Sequence, residues 1–537
     1  MTTPLPVSAP ERTTGGHAPR GTLLVADRVV TLGHARTTAV ALLVRGSRVV
    51  WVGDDPDLAP PHHDQIDLRG CVIGPGFVDA HAHMTTYGLA QAGLDVSGIS
   101  RAADLLHAIG AYAAHHTGRV VWGHGLDGHG FVDEFPGPDE IAEVALGRAV
   151  FVAFADGHTS LVDRRTLASA PLARSDGVER DGHGAPTGLL RREANNIARR
   201  WSIGAIDDHQ LTAARHSAAD AAVACGIVSV HEMGGPDMMG LTDFDAWIAG
   251  CWPVEVIGYW GALDVEVALS RELRQVGGDL CLDGSFGAHT AALTAPYADV
   301  PGQAGTLELD DATLAAWLLE ASLAGLQTSL HAVGDAALRQ LIRCWRSVEE
   351  HLEQRASDGM IRRGRHRVEH AELLPIDVLD DLASLGIVVS TQPNSLGRWG
   401  RIGSMYSDRL GEERLQQLHP YRAITDHGVG LAFGGASNGG PLDPWRWIRS
   451  AEQHPSAKSR VSRLEAVSMS TLGGRHAARQ ERYVGVVRAG MRADLAVFEG
   501  DPYNDEDPTD ARCVLTVVQG RVAHGEAPLP DAPGRTH

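Results

Sequence analysis

Two histidines two residues apart, His81 and His83, close the run Gly74-Pro75-Gly76-Phe77-Val78-Asp79-Ala80-His81-Ala82-His83. On a β-strand residues i and i+2 share a face, so both imidazoles project together. Such a pair is half of a metal site. The ordinary alternative is two strand-edge histidines making local hydrogen bonds. His331, in Ser329-Leu330-His331-Ala332-Val333-Gly334-Asp335, and His370, in Arg367-Val368-Glu369-His370-Ala371-Glu372, extend the pattern. Either one alone reads as a core histidine bonded to a carbonyl. Four histidines at the ends of apolar runs read together as ligands of a divalent ion, and neutral imidazoles suit zinc or a similar borderline metal.

The elements that must position them follow from short apolar runs. Phe77–Ala82, Ile227–His231, Val254–Tyr259, Leu280–Gly284, Thr328–His331, Arg367–His370, Ile387–Thr391 and Val429–Gly434 fit parallel strands buried on both faces. Helical stretches at Leu211–Cys225, Asp311–Gly325, Ala336–Leu352 and Ile376–Leu385 lie between several of them. Eightfold alternation predicts an α/β protein with a (β/α)8 barrel over 74–479, whose strand ends carry the site. Residues 95–205 do not fit the count and read as an insertion between the first two barrel strands, shaping the pocket. Residues 22–73 and 480–527 share a texture of short β elements and predict one small β-domain built from both ends. Residues 1–21, rich in Pro, Thr and Gly, and 528–537 read as tails.

The bulk composition excludes several function classes. Lys plus Arg is 47 against 67 Asp plus Glu, a formal charge of −20 over 537 residues. Nucleic acid and anionic membrane surfaces demand a basic face, so neither is expected as a partner. No apolar stretch of about 18 residues predicts a membrane span. Six scattered cysteines without a CxxC argue against a disulfide framework and for a cytoplasmic location. A small-molecule substrate is the expected partner, and a homodimer is left open.

The motifs taken in order resemble the amidohydrolase superfamily, in its YtcJ-like (amidohydrolase-3) branch, over nearly the whole chain. They are Gly74–His83, Trp122-Gly123-His124-Gly125-Leu126-Asp127, Asp156-Gly157-His158, Pro186–Leu190, Asp283–Leu293, Leu330–Ala336, Arg367–Ala371, Pro441-Leu442-Asp443-Pro444-Trp445 and Arg492-Ala493-Asp494-Leu495. The resemblance implies a distorted TIM barrel with a β-sandwich. It also implies hydrolysis of an amide or formamide-like C–N bond through a metal-bound water. Trp122, Asp127, Asp156 and His158 from the insertion, and Asp283, are the expected pocket residues.

Two positions depart from the family pattern. Asp279 stands where strand four commonly carries a lysine whose carbamate bridges two metals. Aspartate cannot be carbamylated and reaches less far, so whether one or two ions bind is left open. Asp279, Glu193 or Glu232 could supply a carboxylate, although salt-bridge roles are the commoner fate of the two glutamates. At the end of strand eight, Ala436 replaces the family's metal-binding, proton-transferring aspartate. A methyl group neither ligates nor accepts a proton, which leaves His331 or Glu232 to relay it. Ser437 and Asn438 can donate hydrogen bonds but are poor bases. Two alternatives compete with an atypical hydrolase: a barrel that binds a ligand or partner without turnover, and a metal-assisted reaction other than hydrolysis.

Overall fold

The computed structural model describes residues 21–529 except 34–35, 355–358, 437–440, 510 and 528. The expected tails, apart from Gly21 and Leu529, and also Ser437 and Asn438, lie outside the described residues; Gly21 opens a strand. Eight short strands carry the site: β1 (Phe77–Ala82), β2 (Ile227–Gly234), β3 (Glu255–Trp260), β4 (Gln275–Cys281), β5 (Gln327–Ala332), β6 (Arg367–His370), β7 (Val388–Thr391) and β8 (Gly430–Phe433). Every residue of β1, β2, β5 and β7 is buried, which is why they read as unbroken apolar runs rather than alternating ones.

All eight pair in parallel, but in two arcs, β3-β2-β1 and β4-β5-β6-β7-β8. The edges meet without a continuous ladder. At one seam the Ala436 amide, just past β8, donates to the His81 carbonyl at 2.9 Å. The helices Asp208–Ala224, Asp311–Leu323 and Asp335–Glu353 pack their apolar faces onto this centre, contributing Val223, Trp317 and Trp345 to one core with Phe77, Val230 and Leu330.

The fourth strand departs from the sequence reading. It runs Gln275–Cys281 and ends before Asp283, not at Gly284. The cause is a bulge: four residue steps, Gly277 to Cys281, lie opposite two, Ser329 to His331. Gly277 and Gly278 both have φ near +90°, at 94° and 82°. A Cβ on Gly277 would sit 1.9 Å from the Ser329 carbonyl oxygen, so only glycine fits there.

The insertion forms a sheet of its own. Leu94–Asp95, Val120–Leu126, Ala149–Phe154, Thr159–Val162, Pro186–Arg191 and Val178–Arg180 make six adjacent strands, with a separate core around Ile109, Val121 and Val150. The strands of the two chain ends join, and all seven are hydrogen-bonded in one continuous sheet. The Asp64–Pro75 strand lies at its middle and runs directly into β1.

A buried ionic cluster fastens this sheet to the parallel strands of the centre. Arg475, with no exposure, binds Glu255 of β3 and donates to Asp494 at 2.7 Å. Arg492 reaches the same two carboxylates at 2.6 and 2.5 Å. Burial opposes the charge on Glu255, but the two arginines outweigh it and hold the carboxyl well below its usual range. Breaking a buried pair from one side leaves an uncompensated charge, at about 3–5 kcal/mol. Arg475→Met is therefore expected to lower unfolding stability by about 3 kcal/mol or more. Urea unfolding checks this, and a loss below about 1 kcal/mol would contradict it.

Candidate metal centre

Four imidazoles converge on one carboxylate. The β4 bulge turns Asp279 into the cavity, where Oδ2 lies 3.0 Å from His83 Nε2. Oδ1 lies 3.2 Å from His331 Nδ1, 3.3 Å from His370 Nε2 and 3.7 Å from His81 Nε2. His81 and His83 are 5.2 Å apart between ring centroids, His81 and His370 4.6 Å, and His331 and His370 4.3 Å.

In each ring the nitrogen facing away from Asp279 has a hydrogen-bond acceptor of its own. His81 Nδ1 donates to Glu369 at 2.9 Å and His83 Nδ1 to the Met233 carbonyl at 3.0 Å. His370 Nδ1 donates to Gln392 Oε1 at 2.6 Å, and His331 Nε2 to the Gly284 carbonyl at 3.2 Å. For His81, His83 and His370 these partners assign the ring proton to Nδ1, so Nε2 presents its lone pair to Asp279. Burial opposes a charge on His331, but Cys281 and Asp279 outweigh it and hold its pKa well above the usual value. Burial pushes His81 down to about 4 against the pull of Asp279 and Glu369, keeping that lone pair free at neutral pH. Burial also opposes ionisation of Asp279, but the imidazoles of His81, His331, His370 and His83 around it outweigh that and hold it well below the usual range.

The lone pairs of His81, His83 and His370 and a carboxylate pointing at one another need a cation between them. His81 Nε2 is fully buried with no hydrogen-bond partner, and with Asp279 and His370 it forms a triad whose ligand atoms lie within 4.8 Å of one another. Two ligands about 2.1 Å from a tetrahedral ion stand roughly 3.4 Å apart. The separations of 3.7 and 3.3 Å from Asp279 match that spacing. The donor set therefore fits a divalent ion.

A second layer holds the ligands. Glu369 sits beneath His81 and is ion-paired with Arg367 at 2.8 Å; both are fully buried. Ser329 donates to the other face of Glu369. Arg367 further donates to His231 Nδ1, the Tyr259 hydroxyl and the Ala80 carbonyl at 2.7–2.8 Å. His231, at the end of the predicted second strand, is thus turned into the interior. Asp79 accepts from the amides of His81 and Gly435 at 3.1 and 2.9 Å and stitches the first strand to the tip of the eighth.

The other predicted residues divide. Trp122 is buried, stacked on Phe151 at 4.9 Å, and walls the cavity. His158 lies 5.3 Å from His331 between centroids, and burial followed by the His331 charge drops it to about 3. Asp156 lines the same cavity, but its oxygens accept from the amides of His158 and Thr159 and from the Thr159 hydroxyl. Asp127 accepts from the His129 amide in a small adjoining pocket.

Three carboxylates are held by backbone amides. Asp283 lines the cavity as expected, but its oxygens already accept from the amides of Ala292, Val333 and Gly334 at 2.8–2.9 Å and pin a loop there. Glu232 accepts from the Met84 amide at 2.9 Å, at the start of the helix Met84–Ala92, and is absent from the cavity wall. Glu193 is exposed on the rim and accepts from the Asp176 amide at 3.3 Å. Neither glutamate belongs to the histidine cluster. Asp279, weighed only as an extra ligand, stands at its middle. The Gly277-Gly278 pair before it is the bulge signal that could have revealed this. Glu369 and Arg367, although inside the His370 motif, were not singled out, because sequence spacing does not show which way their side chains point.

The cavity above the cluster has a volume of about 1040 Å³ and is walled by the insertion, the β8 tip and the segment around Trp399. Ala436 lies in its wall with φ of 55°, a left-handed conformation in which Asp and Asn are enriched over Ala.

A histidine–carboxylate centre at the strand ends of a parallel eight-strand α/β fold defines the class of metal-dependent hydrolases. The chain belongs to the amidohydrolase family, which it matches over residues 64–524. It is 26% identical over 507 residues to YtcJ of Bacillus subtilis, covering 86% of this chain and 91% of that one. It is 23% identical over 526 residues to the N-substituted formamide deformylase of Arthrobacter pascens, covering 90% and 94%. A metal-dependent hydrolase of Pyrococcus furiosus has the same fold at a TM-score of 0.71 and 23% identity, covering 90% of this chain and all of that one.

Supporting carboxylates typically change metal affinity by about 10–100-fold. Glu369→Gln is therefore expected to weaken zinc binding by about that factor, read by competition with a chromophoric chelator. An unchanged affinity would remove Glu369 from the account.

Proposed function

We propose that this chain hydrolyses an amide- or formamide-type C–N bond of a small molecule, with a divalent ion, zinc by its donor set, held by His81, His370 and Asp279. The observation that carries this is the convergence of four imidazoles on the Asp279 carboxylate. When bound, such an ion polarises the substrate carbonyl and lowers the pKa of water to about 7.

The chain's own residues do the rest. Glu369, the Met233 carbonyl and Gln392 fix the rings of His81, His83 and His370. Trp122, stacked on Phe151, excludes water from one wall. Because Ala436 carries no acid, His331, held protonated beside Asp279, is the group that gives a proton to the leaving amine and regains one from the attacking water. The Gly284 carbonyl holds the opposite face of that ring. A positioned acid–base group contributes about 10²–10⁴-fold. His331→Asn is therefore expected to keep its zinc and lose about that factor in kcat, with plasma emission for the metal and an amide panel for the rate. His81→Ala is expected to lose the metal itself. Full activity in His331→Asn would assign the proton elsewhere.

Ala436 favours one second reading, in which the site binds ligand without turnover. Ala436→Asp separates the two, and its backbone conformation accepts aspartate. Under the hydrolase reading the natural chain already turns over a member of an amide and formamide panel with zinc or manganese, and Ala436→Asp changes only the rate. Turnover by Ala436→Asp alone would establish the binding reading.

A further inference from the structure

The cavity holds a cation that the centre does not use. Arg199, on the helix Arg192–Ile203, lines the cavity half-buried. Its guanidinium donates to the Gly157 carbonyl and approaches the Met238 sulfur at 3.5 Å. Among the described residues no carboxylate lies within ion-pairing distance of it. Of the other arginines on this wall, Arg398, stacked over Trp399, and Arg401 likewise have no ion pair among the described residues, while the rest do. Arg192 pairs with Asp176 at 2.9 Å, Arg449 with Asp507 at 2.6 Å, and Arg200 with Asp237.

A partly buried guanidinium without a counter-charge is costly, and this chain has acids in excess to provide one. The two acids closest in function are engaged. Asp156 is saturated by His158 and Thr159, and Asp279 by the four histidines. Burial lowers the Arg199 pKa, and Asp279, Cys281 and Asp156 act against that, which places the guanidinium within electrostatic reach of the metal centre. A planar fork of donors beside a C–N hydrolysing centre matches a carboxylate bidentately.

We infer that the substrate is an amide bearing a carboxylate, and that Arg199 binds this group while the C–N bond lies over the histidine cluster. The inference rests on the hydrolase reading for the words "amide" and "substrate"; the anion site stands on the unpaired guanidinium alone.

The test uses the zinc-supplemented full chain and matched pairs of compounds: N-formyl- and N-acetyl-amino acids, and the N-acylamines that differ only in lacking the carboxylate. Affinity is read by calorimetry for pairs that are not turned over and kcat/KM for those that are. A charge-assisted hydrogen bond implies that the carboxylate member is favoured by about 10- to 100-fold. Arg199→Met is expected to abolish that preference while leaving the neutral member within about threefold. Arg199→Lys is expected to retain part of it, and serves alone if the Met variant does not fold. Equal preference within pairs, binding of neither member, or a preference that survives Arg199→Met would overturn the inference. Arg199-dependent binding without turnover of any pair would instead contradict the hydrolase reading and leave the anion site in place.

Discussion

The ion pair between Arg367 and Glu369 is the constraint on which the site depends. Both side chains are fully buried on β6, where an apolar layer would be usual. The guanidinium ties β1 through the Ala80 carbonyl, β2 through His231 and β3 through Tyr259. The carboxylate Oε2 that Arg367 Nη2 binds at 3.0 Å also accepts from His81. Burial opposes both charges, yet Arg367 and His81 hold Glu369 down at about 2. One ion pair thus sets the spacing of both arcs and the tautomer of the first ligand.

Upon that frame the centre is an arrangement of acceptors. His81, His83 and His370 each give a ring proton to the protein and a lone pair to Asp279, while His331 is held protonated beside it. Asp279 can reach them only because β4 bulges at two glycines. The bulge brings a short aspartate into a place that a longer side chain would reach from an unbulged strand. At the tip of β8, Ala436 brings no acid to this cavity, and Arg199 lies on the cavity wall without a carboxylate partner among the described residues.

Much of this was legible in the residues. His81, His83, His331 and His370 were found because strand-end histidines follow apolar runs, and those runs exist because the strands are buried on both faces. The fourth strand was misplaced because Leu280–Gly284 is the more apolar segment, whereas the ladder follows Gln275–Cys281 through its bulge. Asp283 and Glu232 looked available because a carboxylate at a strand end carries no mark of the amides that will claim it. Arg199 lay in an insertion whose own six-stranded sheet had no counterpart in the barrel pattern. That the strands of the two chain ends pair in one sheet could not be read from the sequence, since strand alternation does not report pairing partners.

The central claim is that Asp279 and the histidines surround a metal ion. Anomalous diffraction at the zinc edge, from crystals grown with zinc and without chelator, tests it most directly. The account predicts a peak within bonding distance of His81 Nε2, His370 Nε2 and an oxygen of Asp279. A crystal with no peak there, and with Asp279 hydrogen-bonded to protonated histidines, would contradict it.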